Sequence, residues 1–396
     1  MQVELNSDQK EALKKGKRWY RKLPKQIFEI AGYAGTGKTT IVNMIIEACH
    51  VDIHDVLFVT LVGKAAMVLA RNGLPAKTIH STFYNCVDVP KTDEDGNIQY
   101  QDGKIIYCKR FMKKTSLPKN IKLIIIDEAS MVNAKLKADI LSFNIPIIAL
   151  GDLHQLPPVF GDPVFLQHPD AVLETIMRQK ADNPIIEIAT RARLGQRIGY
   201  GNYGNKVLVA KRDDVMRSKD ILKNSNVILC GRNSTRDALN NYIRHDIMGI
   251  DTNEITIGDK LICRKNNWEE TIGDGIYLIN GMVGYVEDID VESYNGSDIC
   301  IDFRPEFLEN DDEGKNTFHN IRMDYRYMKL PYGLRANHIS YVNRFEFGYA
   351  ITTHLSQGSQ YSNVLVLNER MGDFDFYTRW LYTAVTRAVD KLVIAL

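Results

Sequence analysis

A glycine-rich stretch at residues 32–39 restricts the fold of this chain more than any other feature of its sequence. It reads Gly-Tyr-Ala-Gly-Thr-Gly-Lys-Thr, which fits the pattern G-x-x-x-x-G-K-T. Residues 26–30 before it are mostly apolar, as in a buried strand, and apolar side chains recur at helical spacing from its end to residue 49. A strand, a glycine loop and a helix are the setting in which this pattern forms a phosphate-binding loop. The sequence therefore predicts an α/β domain that binds a nucleoside triphosphate.

The residue types of this loop suit phosphate and metal binding. Glycines let successive backbone N–H groups point at phosphate oxygens, and the positive end of the following helix favours the same anion. Lys38 is expected to reach the β- and γ-phosphates, and the Thr39 hydroxyl is expected to hold Mg²⁺. The residues assigned to nucleotide binding here are Gly35, Thr36, Gly37, Lys38, Thr39 and Thr40. A flexible glycine turn is the alternative, and the flanking elements disfavour it.

Composition and charge indicate a soluble globular protein with several domains. The 396 residues are enough for two to four domains, and 44% of them are hydrophobic. The formal net charge of +1 argues against a polybasic coat but allows a local basic channel for nucleic acid. The six cysteines are scattered without a C-x-x-C pair, which disfavours a zinc site or a disulfide framework. No apolar run approaches membrane-spanning length, so we expect a cytoplasmic location, in the host if the chain is phage-encoded.

Two carboxylates follow the most apolar strand of the sequence. Residues 121–126 form an apolar-rich run that suits a central parallel strand, and Asp127 and Glu128 come directly after it. In a sheet that carries a phosphate loop, this end of the strand lies beside the phosphates. Asp127 is therefore expected to hold Mg²⁺, and Glu128 to orient and deprotonate the attacking water. An Asp-Glu pair on an ordinary surface is the alternative interpretation.

Gln155 and Arg178 are candidates for the same site. Residues 145–150 predict another buried strand, and Gln155 lies in the loop after it, where its amide can sense the γ-phosphate. Arg178 can stabilise the charge that develops in phosphoryl transfer, an effect of about 10³ to 10⁵ in rate. The position of Arg178 alone does not distinguish it from the other arginines.

The start of the chain predicts a helix next to the phosphate loop. An apolar-periodic segment begins near Ala12, and Ser7 is expected to cap the helix that contains it. Gln9 precedes the loop, and its amide can pair with N6 and N7 of adenine. An exposed surface glutamine is the commoner case.

Candidate nucleic-acid contacts follow a second predicted strand at residues 56–60. Lys64, Thr78 and His80 lie in the segments after it, at the end of the sheet where open parallel sheets bind ligands. They are expected to contact a phosphodiester backbone. Each of them alone would more often be a solvated loop residue.

The rest of the sequence predicts an insertion and a second α/β core. Residues 86–120 contain a strand, an Asp-Gly turn and a strand, which predict a β-hairpin; it is either a wedge that separates nucleic-acid strands or a decoration. Residues 226–230 restart the strand signal, residues 252–345 are β-rich, and residues 347–396 return to strands and a helix. We expect a second α/β core with a small inserted barrel. Arg387 lies on the last helix beside apolar neighbours, which suits a finger that reaches into a cleft.

Six motifs occur in a fixed order along the chain. They are Gly-x-x-x-x-Gly-Lys-Thr, Ile-Asp-Glu-Ala-Ser-Met, Gly-Asp-x-x-Gln-Leu-Pro-Pro-Val, Met-Arg-Gln, Thr-x-His-x-Ser-Gln-Gly-Ser and Tyr-Thr-Ala-Val-Thr-Arg-Ala. Together they resemble the superfamily 1 DNA helicases, in the RecD/Dda-like branch. The resemblance covers residues 5–396, and the compact length is similar to that of the phage members.

The resemblance implies two RecA-like cores with parallel sheets, which hold ATP between them and single-stranded DNA across them. By this resemblance, residues 1–85 and 121–195 form core 1A, residues 86–120 a pin-like hairpin (1B), residues 196–251 and 346–396 core 2A, and residues 252–345 an inserted SH3-like subdomain (2B).

The resemblance also assigns roles to single residues. Gln9 would select adenine, and the ATPase site would be formed by Lys38, Thr39, Asp127, Glu128 and Gln155. The arginine fingers would be Arg178 and Arg387. The second core would contact the γ-phosphate through Gln357 and Gly358. The nucleic-acid contacts would be Lys64, Thr78, His80, Thr353 and His354.

Two stretches depart from the family's pattern. Residues 60–62 read Thr-Leu-Val where the family usually has Ala-Pro-Thr, so a hydroxyl that would bond phosphate is missing. Leu355 replaces a lysine and Gln360 replaces an acid beside the motif at residues 356–359. We expect these changes to alter DNA affinity and nucleotide selectivity, and they spare every residue that hydrolysis needs.

The resemblance implies an ATP-dependent DNA helicase that translocates 5′ to 3′ on single-stranded DNA and unwinds duplex DNA. ATP and Mg²⁺ would be its cofactors, forked DNA its substrate, and replication or recombination proteins its candidate partners, with the chain acting as a monomer. Two alternatives stay open. One is an ATP-switched clamp or loader that binds single strands without unwinding, and the other is the helicase subunit of a helicase–nuclease complex.

Overall fold

The computed structural model shows two compact units. The described residues are 4–61, 63, 65–66, 69, 73–90, 92, 97–101, 104–105, 107–157, 164–176, 183–252, 254–273, 276–290, 298–308, 314–335, 338 and 342–396. The first unit comprises Met1–Leu153 and Pro157–Met177, and the second comprises His154–Leu156 and Arg178–Leu396. Lys64 and Arg178, two of the predicted site residues, lie outside the described residues. No helix among the described residues is both long and apolar enough to span a membrane.

A six-stranded parallel sheet forms the centre of the first unit. The strands of this unit are β1 (Ile27–Gly32), β2 (Val56–Thr60), β3 (Ala76–Thr78), β4 (Tyr84–Pro90), β5 (Tyr100–Gln101), β6 (Lys104–Ile105), β7 (Tyr107–Lys113), β8 (Leu123–Asp127), β9 (Ile147–Gly151) and β10 (Ala171–Leu173). The sheet has the order β10-β1-β9-β8-β2-β3, and its neighbouring strands are parallel. The carboxyl ends of β1, β8 and β9 therefore meet at one end of the sheet, where such sheets bind ligands. The strands predicted at residues 26–30, 56–60, 121–126 and 145–150 are confirmed as β1, β2, β8 and β9.

Helices cover both faces of this sheet. They are α1 (Ser7–Lys22), α2 (Lys38–Ala48), α3 (Ile79–Phe83) and α4 (Ala134–Leu141). Ile41 of α2 shares a buried cluster with Phe58 and Ile125 on one face of the sheet. Ile140 of α4 shares another with Ile126 on the opposite face. Successive side chains of a strand point to opposite faces, so these central strands bury both sets of side chains.

The first helix is capped by Asn6, and the prediction of a Ser7 cap is wrong. The Asn6 side chain accepts a hydrogen bond from the Gln9 N–H at 2.9 Å, and the Gln9 side chain accepts one from the Asn6 N–H at 3.1 Å. This reciprocal pair satisfies two backbone donors at the helix start. Ser7 is already the first helical residue, so its hydroxyl is one position too late to cap.

An antiparallel arm extends from the first unit. β4 pairs with β7 from the Tyr84–Lys113 pair to the Pro90–Tyr107 pair, and β5 pairs with β6. The hairpin predicted at residues 86–120 therefore contains antiparallel strands, and its long strand pair begins at Tyr84. The predicted Asp-Gly turn at residues 102–103 lies outside the described residues.

The second unit has its own six-stranded sheet. The strands of this unit are β11 (Gly201–Tyr203), β12 (Val207–Ala210), β13 (Val227–Cys230), β14 (Lys260–Cys263), β15 (Asn267–Ile272), β16 (Ile276–Leu278), β17 (Val283–Asp290), β18 (Asp298–Pro305), β19 (Phe318–Asp324), β20 (Phe345–Phe347), β21 (Ala350–Thr352), β22 (Tyr361–Leu367) and β23 (Ala388–Ala395). The sheet has the order β11-β12-β23-β22-β13-β21, and it is parallel except at β11. The helices are α5 (Pro184–Arg193), α6 (Arg212–Arg217), α7 (Lys219–Asn224), α8 (Asn233–Tyr242), α9 (Tyr325–Lys329), α10 (Tyr332–Arg335) and α11 (Phe374–Val385).

The β-rich region predicted at residues 252–345 forms a separate antiparallel sheet. Its five strands have the order β19-β18-β17-β14-β20, and β15 pairs with β16 beside it. Arg244, just after α8, forms a buried ion pair with Asp259 at 2.8 Å, and Tyr349 donates a hydrogen bond to the same carboxylate at 2.9 Å. These contacts fasten the inserted sheet to the core of the second unit. An SH3-like closure of the sheet stays a prediction.

The helix α5 belongs to the second unit, although the predicted first core extends to residue 195. Ile185 and Ile188 on α5 are buried with Val364 and Trp380 of the second unit. Helical periodicity identifies an apolar face, but it does not say which of two cores that face covers.

Gly284 allows β17 and β18 to approach closely. A Cβ atom at this position would lie 2.3 Å from the carbonyl oxygen of Arg304. We expect Gly284→Ala to lower the free energy of unfolding by about 1–3 kcal/mol, because a strand backbone yields less easily than a side chain. Urea unfolding followed by circular dichroism measures this change. Gly333→Ala is the control, since a Cβ there meets no described atom within 4 Å; equal losses in both variants would contradict the prediction.

Candidate active site

The predicted phosphate loop connects β1 to α2. β1 ends at Gly32, and α2 begins at Lys38. Gly35 and Gly37 have φ angles of 82° and 83°, in the left-handed region that other residues rarely adopt. Gly37 also precedes the helix and provides no side-chain cap. The first N–H groups of α2 can therefore bind an anion at the positive end of the helix.

The Lys38 side chain lies back over this loop. Its Nζ donates hydrogen bonds to the carbonyl oxygens of Gly32, at 2.7 Å, and Tyr33, at 3.2 Å. A Cβ atom on Gly32 would lie 3.2 Å from Lys38 Cγ and 2.8 Å from Thr36 Oγ1, so glycine leaves the room that the lysine stem needs. No described carboxylate forms an ion pair with Lys38 within 4.0 Å. Phosphate oxygens are stronger partners for an ammonium than neutral carbonyls, so they can replace them.

Asp127 and Glu128 lie at the carboxyl end of β8. Asp127 Oδ1 accepts a hydrogen bond from the Glu128 N–H at 2.9 Å. Burial raises the pKa of the Asp127 carboxyl, and the positive charge of Lys38 opposes that shift. Glu128 has a φ angle of 50°, an uncommon conformation of the kind found at functional sites. The structure thus brings the predicted lysine and aspartate within electrostatic reach of each other.

Thr39 and Asp127 are suitable ligands for Mg²⁺. The Thr39 side chain is exposed in the first turn of α2, and Asp127 supplies a carboxylate at the end of a neighbouring element. Mg²⁺ commonly takes one or two protein ligands and completes its shell with water and phosphate oxygens. The described residues contain no group of three or more His, Cys, Asp and Glu side chains suited to a metal. A nucleotide-bound Mg²⁺ with few protein ligands fits this donor set.

Gln9 is buried against the phosphate loop. Its Nε2 donates a hydrogen bond to the Thr36 carbonyl oxygen at 2.9 Å, while its Oε1 accepts the Asn6 N–H. The Thr36 hydroxyl in turn donates to the Tyr33 carbonyl oxygen at 2.9 Å. Gln9 and Thr36 therefore hold the loop in shape, and Thr40 is half-buried in the helix after it. Recognition of adenine by Gln9 stays a prediction.

In the second unit, Gln357 bonds to the residue after Gln155. Gln357 Nε2 donates to the Leu156 carbonyl oxygen at 2.9 Å, and the Leu156 N–H donates to Thr383 Oγ1 at 2.9 Å. Gln155 and Gln357 are both buried, and Gly358 has a φ angle of 71°, which favours glycine. The segment that holds Gln155 is therefore fixed to Gln357 and to α11.

Arg387 follows α11 and is buried, with 4% of its surface exposed. Its Nε donates to the Thr383 carbonyl oxygen, its Nη1 to the Ser359 carbonyl oxygen and its Nη2 to Thr386 Oγ1, at 3.0 to 3.2 Å. None of these partners carries a charge, and no described carboxylate pairs with the guanidinium within 4.0 Å. A buried cation with neutral partners can gain from an anionic ligand.

Thr78 and His80 have structural contacts of their own. The Thr78 hydroxyl caps α3: it accepts the Ser81 N–H at 3.1 Å and donates to Ser81 Oγ at 2.9 Å. The His80 ring lies 5.6 Å from the Tyr84 ring and 5.2 Å from the Phe111 ring. Burial lowers the pKa of His80, so the ring is neutral at pH 7 and suits stacking better than charge pairing with phosphate.

Thr353 and His354 are similarly occupied. Thr353 is fully buried, and its hydroxyl donates to the Cys230 carbonyl oxygen at 3.4 Å. The His354 ring lies 6.2 Å from the Phe376 ring, and burial lowers its pKa. Their predicted contacts with nucleic acid are untested, and the Thr353 side chain positions the backbone between β13 and β21.

Sequence reasoning overlooked an aromatic surface on the β4–β7 arm. Phe111 and Tyr107 are 42% and 55% exposed. They pair across the ribbon with Cys86 and Pro90, so their side chains share one face. His80 and Tyr84 lie at the base of this face, beside Phe111. The alternation of aromatic and basic residues in β7 was the available signal.

Desolvation of the Asp127 carboxyl lowers the stability of the folded protein at pH 7. Because the pKa of this carboxyl is raised in the folded protein, its ionisation at pH 7 costs folding free energy, and that cost disappears as the pH falls toward the ordinary value of 3.8. We expect Asp127→Asn to raise the thermal midpoint of the nucleotide-free protein by about 2 °C at pH 7, and by less at pH 5. Differential scanning fluorimetry measures both. A lower midpoint at pH 7 would show that the attraction of Lys38 outweighs burial.

Two family models match the chain. The model described as an AAA domain matches residues 4–244, and the model described as a UvrD-like helicase C-terminal domain matches residues 347–395. The first match covers more than half of the chain and contains the phosphate loop. The second contains Gln357 and Arg387.

Several curated proteins are similar along the chain. The ATP-dependent DNA helicase Pif1 of Campylobacter jejuni is 24% identical, over 91% of this chain and 86% of that protein. The ATP-dependent DNA helicase Dda of phage T4 is 27% identical, over 60% of this chain and 56% of that protein. An uncharacterised protein of Methanocaldococcus jannaschii is 24% identical, over 92% of this chain. The chain spans about half the length of the phage relative and 36% of the archaeal one.

Solved structures of Pif1 helicases share the fold. A structure of two coordinating Pif1 helicases at forked duplex DNA has a TM-score of 0.53 at 16% identity, covering 100% of this chain and 92% of that chain. Bacteroides Pif1 bound to single-stranded DNA has a TM-score of 0.52 at 16% identity, covering 96% of this chain and 91% of that chain. The chain thus belongs to the family of the AAA domain at residues 4–244 and, with its UvrD-like C-terminal domain, to the superfamily 1 helicases of the RecD/Dda-like branch.

Proposed function

We propose that this chain is an ATP-driven DNA helicase that moves 5′ to 3′ on single-stranded DNA. The observation that carries the proposal is the Lys38 ammonium, which is held over the phosphate loop by carbonyl groups and whose charge opposes the raised pKa of the Asp127 carboxyl. This arrangement suits the phosphates of a nucleotide. The relatives described as ATP-dependent DNA helicases support DNA as the track. The direction rests on the motif resemblance.

The proposed hydrolysis uses groups of the first unit. Lys38 neutralises charge on the β- and γ-phosphates, and Thr39 and Asp127 hold Mg²⁺. Mg²⁺ held by these two residues would supply positive charge against the phosphates. Glu128, whose backbone is held in a left-handed turn, orients that water and accepts its proton.

Gln155, Gln357 and Arg387 are the proposed γ-phosphate sensors of the second unit. Their segments are joined through Leu156, Thr383 and the hydrogen bonds between them. Loss of the γ-phosphate would change the partners of the Arg387 guanidinium, and this change would pass to Gln155 through the same bonds. Arg178 is proposed as a second arginine finger.

The fold supports the proposed division of labour. The two six-stranded sheets support two RecA-like cores, and the five-stranded antiparallel sheet supports an SH3-like subdomain 2B. The β4–β7 arm is proposed as the pin-like hairpin that separates the two nucleic-acid strands. Its exposed Phe111 and Tyr107 can stack on unpaired bases, which supports strand binding without sequence preference. During ATP turnover the two cores would bind the DNA strand tightly in alternation, so that each cycle of hydrolysis moves the chain along the strand.

The Lys38→Ala variant tests the ATPase. We expect ATP turnover to fall by about 10²-fold or more, because the lysine charge acts on the transition state, while the circular dichroism spectrum stays unchanged. Lys14→Ala, on the exposed side of α1, is the matched control and should keep full turnover. Retained turnover in Lys38→Ala would place the active site elsewhere.

Duplexes with a single-stranded tail at one end test the motor. In the presence of ATP and Mg²⁺, we expect strand separation on duplexes with a 5′ tail and none on duplexes with a 3′ tail. Lys38→Ala should separate neither. Separation of only the 3′-tailed duplex would overturn the direction, whereas DNA-stimulated turnover without strand separation would support an ATP-switched clamp instead.

A further inference from the structure

Thr60 carries a buried hydroxyl that the proposed mechanism leaves unused. It is the last residue of β2, and its side chain is 0% exposed. Its Oγ1 has no hydrogen-bond partner among the described residues. In native proteins such a group usually indicates a water, an ion or a ligand that completes it.

Thr60 lies in register with Asp127 and Thr78. Asp127 is its partner on β8, and Thr78 is its partner on β3, in a parallel sheet. Side chains at the same register position of parallel strands point to the same face, and such strands lie about 4.8 Å apart. Thr60 is therefore next to the carboxylate that would hold Mg²⁺.

The side chains of Thr60, Asp127 and Thr78 form a row that points to the face of the sheet that α2 covers. Phe58 precedes Thr60 by two residues and Ile125 precedes Asp127 by two, and both share a buried cluster with Ile41 of α2. Every second residue of a strand points to the same face. The hydroxyl and the carboxylate therefore lie on the side of the helix that begins at the phosphate loop.

Of its two neighbours in the row, Asp127 is the stronger acceptor for the Thr60 hydroxyl, because a carboxylate carries charge. The Thr78 hydroxyl already accepts the Ser81 N–H and donates to Ser81 Oγ. Asp127 uses Oδ1 to accept the Glu128 N–H. Its carboxylate keeps lone pairs for a metal ion and for one more donor.

We infer that Thr60 is a positioning residue of the metal site. On this inference, which rests on the proposed ATPase function, the Thr60 hydroxyl donates to the Asp127 carboxylate, or to a water bound to the metal, once nucleotide and Mg²⁺ are present. The bond fixes the orientation of a metal ligand, and such outer partners typically change metal affinity by about 10- to 100-fold.

Three variants separate this role from simple packing. Thr60→Val keeps the shape and removes the hydroxyl, whereas Thr60→Ser keeps the hydroxyl and removes a methyl group. Thr190→Val is the matched control, because its hydroxyl bonds to the Ile186 carbonyl oxygen within α5 of the second unit. Mn²⁺ serves as the probe: its binding to the ADP-loaded protein is titrated by electron paramagnetic resonance, and the thermal midpoint is measured without nucleotide.

We expect Thr60→Val to weaken Mn²⁺ binding about 10-fold, and a cooperative thermal transition of the nucleotide-free protein shows that the variant is folded. Thr60→Ser and Thr190→Val should bind Mn²⁺ like the wild type. The inference is overturned if Thr60→Val binds Mn²⁺ like the wild type, or if Thr60→Ser is as weak as Thr60→Val. A wild type without ADP-dependent Mn²⁺ binding would overturn the proposed function together with the inference.

Discussion

The ammonium of Lys38 above a loop of backbone amides is the interaction on which the first unit depends. It requires a strand that ends at Gly32, where a side chain would crowd Thr36, Leu173 and the stem of Lys38. It also requires Gly35 and Gly37 in left-handed conformations, so that the loop can turn into α2. The buried side of α2, with Ile41 and its neighbours packed on the sheet, then fixes the position of the helix start. The apolar core and the charged site are therefore two sides of one helix.

The order of the strands brings opposite charges to the same end of the sheet. β9 separates β1 from β8, and all three strands are parallel, so their carboxyl ends lie side by side. Asp127 is half-buried there, and desolvation makes its ionised form costly, while the Lys38 charge reduces that cost. On the proposed function, the phosphates of a nucleotide and their metal ion would place a charge of opposite sign beside each of these two groups.

The central strands and the phosphate loop could be predicted because their signals are local. Strand and helix periodicities depend on neighbouring residues, and parallel strands bring distant motifs together without further information. The register between Thr60 and Asp127 could not be predicted, since it depends on how two strands far apart in sequence align. The neutral partners of Arg387 and the burial of Thr353 were hidden for the same reason. Both result from tertiary packing around residue types that also occur on surfaces.

The cap of α1 and the packing of α5 differ from the predictions because the sequence allowed two arrangements at each place. Asn6 and Ser7 are both good helix caps, and only the geometry of the turn with Gln9 decides between them. The apolar face of α5 would suit either core, and its packing with Trp380 decides that it covers the second. In both cases the residue types predicted a helix cap or an apolar helix face correctly, while the capping residue and the core that the face covers depend on the three-dimensional structure.

The ribbon of β4 and β7 has a consequence for the behaviour of the chain in concentrated solution. In the part of the chain that the structure describes, β4 and β7 pair only with each other, and the outer edges of such a ribbon can pair with a strand of another copy. β7 carries the exposed Arg110 and Lys113, so two ribbons that approach each other along β7 repel. This basic strand allows aromatic side chains to stay in contact with water while discouraging the intermolecular pairing from which aggregates grow.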